Sequence, residues 1–151
     1  MRPEPDKRQH FMYYSGLKTR WSDNDIYGHV NNVTYYSYFD TVVNEYLIEQ
    51  GGLDIHQGSS IALVVETHCN FFKPLSFPER LEIGLGVDRL GASSVRYRLG
   101  IFSENDAESA ASGHFVHVFV DRENRRSMAI PQSIRSALQH LQGSDEKGSG
   151  V

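Results

Sequence analysis

Residues 20–32, which read Arg-Trp-Ser-Asp-Asn-Asp-Ile-Tyr-Gly-His-Val-Asn-Asn, hold the side chains best suited to acid–base or nucleophilic chemistry. Asp25 can serve as a general base or a nucleophile, and His29 can donate a proton or orient a reacting group. Gly28 allows a tight backbone approach or a positive φ angle. The alternative is that Asp23 and Asp25 only cap and charge the start of a helix.

A helix predicted directly after this segment adds backbone groups to the same site. Asparagines 31 and 32 can cap its start and glycines 51 and 52 its end. Between them, apolar side chains recur at helical spacing and predict a largely buried helix: Tyr35, Phe39, Val42, Val43, Tyr46 and Leu47. The first N–H groups of such a helix lack intrahelical acceptors, so they can stabilise a developing oxyanion.

Alternating apolar residues predict strands at residues 81–87 and 95–101, with further strands at 11–20, 61–72 and 112–121. Their connections are short, so the strands are mainly antiparallel, because a parallel crossover needs a dozen or more residues. A short amphipathic helix is predicted at residues 133–141. The element order predicts an α+β domain with one buried helix against an antiparallel sheet.

Length, charge and cysteine content narrow the class of protein. The 151 residues suit one domain at 11–142, between a flexible leader at 1–10 and a flexible tail at 143–151. A net charge of -4 argues against nucleic-acid binding, and no apolar run reaches the ~20 residues of a membrane span. The single cysteine, Cys69, cannot close an intrachain disulfide, so we expect a cytoplasmic protein.

Other candidate sites have simpler interpretations. The motifs G-x-S-x-G and H-E-x-x-H and the phosphate-binding P-loop are absent. His114 and His117 stand three positions apart on a predicted strand and point to opposite faces, which argues against a metal pair. His68 and Cys69 are adjacent and also point apart, so we expect a buried, inert thiol. The chain is therefore expected to need neither a metal nor a redox cofactor.

The motif D-x-x-G-H-V-N-N-x-x-Y, from Asp25 to Tyr35, resembles the hotdog-fold acyl-CoA thioesterases of the 4-hydroxybenzoyl-CoA thioesterase-like family. Its H-V-N-N-x-x-Y part is also similar to plant acyl-carrier-protein thioesterases. The resemblance covers about residues 13–141 and includes the strand and aromatic-Lys-Pro turn at 66–74. It implies a long central helix wrapped by a curved antiparallel β-sheet, and a homodimer or homotetramer with active sites at subunit interfaces.

Carried over residue by residue, the resemblance implies that Asp25 is the catalytic carboxylate and that His29 matches the histidine of the plant enzymes. It places the oxyanion donors at Asn31 and Asn32. It also implies a set of substrate contacts: Tyr27, Gly28, Tyr35, Arg89, Ser93 and Ser94. The motif departs from the plant enzymes at Tyr27, and the turn at 91–94 lacks the basic residues that hold the nucleotide phosphate in the 4-hydroxybenzoyl-CoA enzyme.

These residues predict hydrolysis of an acyl-CoA thioester to a free acid and CoA, with CoA entering only as part of the substrate. A thiolate is a good leaving group because thiol pKa values lie near 8.5, so one carboxylate and one histidine suffice. Base and nucleophile roles for Asp25 both stay open, as do CoA and carrier-protein substrates. The alternatives are a hotdog hydratase or dehydratase acting on such thioesters, and a non-catalytic acyl-CoA-binding module.

Overall fold

The computed structural model describes residues 2–143 and shows a long helix against one antiparallel sheet. The strands are β1 (Tyr13–Lys18), β2 (Ser60–Phe71), β3 (Arg80–Leu90), β4 (Ser94–Ser103) and β5 (Ala111–Asp121), and the helices are α1 (Asn32–Gly51) and α2 (Gln132–Gln139). The sheet order is β1-β3-β4-β5-β2, with every neighbouring pair antiparallel. This arrangement confirms the predicted α+β hotdog fold.

Helix α1 begins and ends where the sequence predicts. The Asn31 side chain accepts the N–H of Val33 at 2.9 Å, and Gly52 stops the helix with a φ of 70°. All six residues of the predicted apolar stripe are buried. They join the inward side chains of the strands, among them Leu85, Tyr97 and Phe119, in one core cluster. Burial of this stripe fixes α1 lengthwise on the sheet.

Helix α2 closes the core near the end of α1. Its buried residues are Ile134, Ala137 and Leu138, and the Tyr46 hydroxyl of α1 donates to the carbonyl of Ala137 at 2.6 Å. Within residues 2–143, neither helix combines the length and hydropathy that crossing a membrane requires. The predicted tail at 143–151 lies, apart from Gly143, outside the described residues.

The N-terminal residues pack against the sheet. The ring of Phe11 fills a slot over Gly84 and Gly100, where an added Cβ would come within 2.5 and 2.7 Å of that ring. The Arg8 guanidinium pairs with Glu82 at 2.5 Å, and the backbone N–H of Asp6 donates to a serine hydroxyl at 2.9 Å. Residues 6–10, assigned from the sequence to a flexible leader, therefore make defined contacts.

His114 and His117 point to opposite faces of β5, as expected. His114 contacts Glu66 on the outer face at 2.5 Å. His117 is buried among the rings of Phe115 and Phe119, and its Nδ1 lies 3.1 Å from the Tyr97 hydroxyl. Burial lowers the pKa of His117 from 6.5 to about 4 and raises the pKa of the Cys69 thiol to about 12. A thiol held protonated in this way is a poor nucleophile.

The buried imidazole predicts a loss of stability in mild acid. As pH falls through 6.5, His117 becomes protonated in the unfolded chain, whereas in the folded chain it is protonated only at about pH 4. The contribution of His117 to the free energy of unfolding is fully present above pH 6.5 and is lost as pH falls towards 4. Between pH 6.5 and 5 the loss is roughly 2 kcal/mol. Urea unfolding of His117→Gln should show a flatter decline over this range. His56→Gln, at an exposed histidine, should follow the wild type, and equal slopes for both variants would contradict the assignment.

Candidate active site

The loop between β1 and α1 folds back on itself at the motif. Asn24 and Val30 form an isolated bridge, and the N–H of Asp25 donates to the carbonyl of His29 at 2.9 Å. The N–H of Gly28 closes a tight turn onto the carbonyl of Asp25 at 3.0 Å, with φ at +83°. A side chain is strained at that φ, so the turn favours glycine there. The turn brings residues 25 and 29 side by side.

Asp23 is the buried member of the aspartate pair and serves as an anchor. Only 2 % of it is exposed. Its carboxylate accepts the Tyr38 hydroxyl of α1 at 2.7 Å, the Arg20 backbone N–H at 2.9 Å and the Arg20 guanidinium at 3.0 Å. Burial alone would raise the pKa of Asp23, but these hydrogen bonds and the Arg20 charge bring it below its usual value. Asp23 therefore ties the loop after β1 to α1.

Asp25 is half-buried, unlike Asp23, and does not cap the helix. One carboxylate oxygen, Oδ1, accepts the N–H of Tyr27 at 2.9 Å, and Oδ2 lies 3.4 Å from the Asn31 side-chain amide. The helix cap is Asn31 itself. The alternative in which Asp25 serves only as a helix cap is therefore not supported by the geometry.

The backbone donors at the helix start differ in availability. The N–H of Asn31 donates to the carbonyl of Asp23 at 2.9 Å, and that of Val33 to the Asn31 side chain at 2.9 Å. Neither is free for an oxyanion, which corrects the expectation for Asn31. Within residues 2–143, no acceptor takes the N–H of Asn32, which lies at the first position of α1. Asn32 is thus the candidate donor.

An open cleft of about 500 Å³ lies beside the loop. Its polar lining comes from Asp25, His29, Asn32 and Lys73, and its aromatic lining from Tyr27, Tyr35, Phe71 and Phe72. The Tyr35 ring packs edge-on against Phe71 at a centroid distance of 4.9 Å, and burial raises its pKa to about 12. Among the predicted site residues, Asp25, Tyr27, His29, Asn32 and Tyr35 therefore meet in one cleft.

Three predicted substrate contacts lie elsewhere. Ser93 belongs to the β3–β4 turn, Ser94 is the first residue of β4, and Arg89 lies at the end of β3 that leads into the turn. Ser94 pairs with Val118, which pairs with Leu63, eight residues along β2 from Phe71 in the cleft. At about 3.3 Å per residue, this separation is roughly 25 Å. These three residues cannot reach the cleft of their own subunit.

The end of β2 supplies lining residues that the sequence analysis did not assign to the site. Residues 71–74, Phe-Phe-Lys-Pro, line the cleft; Phe71 is the last residue of β2, and the other three follow it. Lys73 is the cation of this lining and forms an ion pair with Asp106. The available signal was an aromatic-Lys-Pro turn directly after a strand, but its closeness to the motif depends on tertiary packing of β2 against α1.

Comparison with known proteins gives the family. A sequence model described as the thioesterase-like superfamily matches residues 19–138, which span the loop, α1, the cleft and most of α2. The chain belongs to the thioesterase-like superfamily. This match confirms the resemblance stated from the motif between Asp25 and Tyr35.

Relatives of this thioesterase-like protein include solved structures. It is 56% identical to the PA5185 protein of Pseudomonas aeruginosa, with a TM-score of 0.91 over 94% of this chain and 99% of that one. The SAV2348 protein of Staphylococcus aureus, solved in complex with CoA, is 17% identical with a TM-score of 0.79 over 95% and 90% of the two chains, and shows the fold alone.

A curated relative carries an activity in its name. The L-carnitine dehydrogenase/betainyl-CoA thioesterase of Agrobacterium fabrum is 29% identical over 136 residues, which are 84% of this chain. The match covers only 28% of that longer protein. The dehydrogenase and thioesterase activities in that name are those of the longer protein as a whole.

Proposed function

We propose that this thioesterase-like protein hydrolyses acyl-CoA thioesters to a free acid and CoA in the cleft beside Asp25. The observation that carries the proposal is that one cleft is lined by a half-buried carboxylate, an exposed imidazole and Asn32, whose backbone N–H has no acceptor within residues 2–143. Membership of the superfamily and the betainyl-CoA thioesterase relative support it.

In this proposal the thioester carbonyl lies between Asp25 and the start of α1. Its oxygen accepts the N–H of Asn32, and the positive end of the helix dipole stabilises the oxyanion of the tetrahedral intermediate. Asp25 either takes a proton from the attacking water or attacks the carbonyl carbon itself and forms an anhydride that water then opens. In both routes the C–S bond breaks, CoA leaves as thiolate, and the thiolate then gains a proton.

His29 has a supporting role in both routes. Its side chain is exposed at the mouth of the cleft, beside Asp25 across the turn. From there it can orient the attacking water or donate a hydrogen bond to the thioester. The leaving thiolate needs little help from an acid, so a single histidine without a full triad is sufficient.

The proposal includes a homodimer formed through strand β2. This strand lies at the edge of the sheet, and its side chains Leu63, Val64 and Val65 are 37%, 47% and 60% exposed. An exposed apolar edge is a template for pairing with a second strand. A two-fold pairing of β2 with β2 of a second copy would cover it and continue the sheet.

The first test is thiol release from a panel of acyl-CoAs of graded chain length together with aromatic examples. Turnover of at least one member supports the proposal. A folded protein that binds acyl-CoA and releases no thiol from any of them would instead be a binding module.

Replacement of the charge at Asp25 should abolish most turnover. Asp25→Asn keeps the size of the side chain but cannot accept a proton or attack a carbonyl. We expect kcat to fall at least ~10²-fold, a barrier increase of about 2.7 kcal/mol, while acyl-CoA still binds. Steady-state kinetics and thermal melts of the same variant measure both.

Asp54→Asn is the matched control for this substitution. Asp54 accepts the N–H groups of His56 and Gln57 at 3.0 Å in a loop outside the cleft, much as Asp25 accepts that of Tyr27. Asp54→Asn should keep wild-type kcat. A near-wild-type kcat in Asp25→Asn would remove Asp25 from the mechanism.

Removal of the imidazole should have a smaller effect. His29→Ala deletes an orienting group, which typically contributes ~10²-fold or less, whereas Asp25 is the sole base or nucleophile. The ratio of kcat values for the two variants, both folded, measures this order. If His29→Ala is the more damaging change, the two roles must be exchanged.

The dimer is tested by light scattering at micromolar concentrations. We expect a mass of at least two chains, and a charge placed at the centre of the exposed edge, in Val64→Arg, should shift the protein towards one chain. Ile48→Arg, on the exposed side of α1, is the control and should leave the mass unchanged. A wild-type protein of strictly single-chain mass would contradict the dimer.

A further inference from the structure

The side-chain amide of Asn31 has both of its ends engaged. Its Oδ1 accepts the N–H of Val33 at 2.9 Å and caps α1. That bond fixes the orientation of the amide, because only the oxygen can accept. The NH₂ group then faces Oδ2 of Asp25, at 3.4 Å. Asn31 thus connects the first turn of the helix to the carboxylate in the cleft.

The backbone of Asn31 is held by Asp23. Its N–H donates to the carbonyl of Asp23 at 2.9 Å, and the Asp23 carboxylate is fixed by Tyr38 and Arg20. Because Tyr38 belongs to α1, the helix holds both ends of this chain of contacts. The position of Asn31 therefore follows from buried groups and not from the exposed loop alone.

Asp25 has few other restraints. Its Oδ1 accepts the N–H of Tyr27, whose side chain is 83% exposed, and Asn31 provides the second contact, to Oδ2. A carboxylate with one such contact can still rotate about χ2. The second contact restrains that rotation and so fixes the plane of the carboxylate.

We propose that Asn31 is a positioning residue for Asp25: its amide caps α1 with one end and orients the carboxylate with the other, and the buried Asp23 holds it in place. The inference rests on the proposed function, in which Asp25 is the catalytic carboxylate. It assigns to the Asn31 side chain a role separate from that of its backbone N–H.

The test is Asn31→Asp, which preserves the cap and changes the contact to Asp25. Asp and Asn rank together as N-caps, so we expect a Tm within ~4 °C of the wild type. The amide donor is replaced by a second carboxylate beside Asp25, which disfavours the ionised form of Asp25. We expect kcat to fall at least ~10-fold and the acid limb of kcat/KM to move about one unit to higher pH.

The other charged and titratable groups around Asp25 are the same in the variant and in the wild type, so a shift in the pH profile can be attributed to residue 31. Besides Asp25, the titratable groups that line the cleft are Tyr27 and His29 from its own loop, Lys73 from the turn after β2 and the buried Tyr35 from α1. None of them is altered by the substitution. Titration of the Asp25 carboxyl followed by ¹³C NMR, with the signal assigned by its loss in Asp25→Asn, should likewise move about one unit to higher pH.

Asn124→Asp is the matched control. The Asn124 side chain accepts the N–H two residues on, that of Arg126, at 2.8 Å in an exposed turn, just as Asn31 accepts that of Val33. It should change neither kcat nor the Asp25 titration. An unchanged Asp25 titration in Asn31→Asp overturns the positioning role. The absence of thiol release by the wild type overturns the proposed function instead, and the NMR titration distinguishes the two failures.

Discussion

The packing of one apolar face of α1 against the inner face of the sheet is the constraint on which the site depends. Phe39, Val43 and Leu47 of that face have no exposed surface. At about 25 cal/mol per Å² of buried apolar surface, such side chains stabilise the fold by roughly 2 kcal/mol each. With the helix fixed along the sheet, its N-terminus is fixed as well, and the residues of the first turn stand beside the end of β2.

The two aspartates of the loop before α1 lie in different environments because the helix is fixed in this position. Asp23 is buried, and its charge is compensated by Tyr38 and Arg20, because an uncompensated buried carboxylate would cost several kcal/mol. Asp25 is half-buried, borders the cleft and, among the residues that the structure describes, accepts two contacts at its side chain. Asp23 is suited to holding the loop, and in the proposed function Asp25 is the carboxylate that reacts. The proposal thus gives the same residue type two roles that are set by environment.

Much of this arrangement follows from local sequence signals. The apolar spacing of α1, its Asn cap and its terminal Gly52 are local, and the structure places them as predicted. The positive φ of Gly28 was one of two possibilities that the sequence left open. These features depend on residues within a few positions of one another, where hydrogen bonding and steric rules act directly.

The features that sequence reasoning missed depend on contacts between distant segments. Ser94 lies far from the cleft because β3 and β4 are long, and strand length and register are poorly determined by alternation alone. Phe11 is held by two glycines on neighbouring strands, a slot that no local pattern reveals. The hydrogen bond from the Asn31 N–H to the Asp23 carbonyl likewise depends on how the loop folds.

We propose that the thioester lies between Asp25 and the start of α1. A crystal structure of Asp25→Asn with an intact acyl-CoA bound tests it most directly. We expect a carbonyl oxygen about 3 Å from the backbone nitrogen of Asn32, with the carbonyl carbon facing the substituted side chain or a water bound to it. A thioester bound outside this cleft, or one whose carbonyl oxygen is held by other donors, would contradict it.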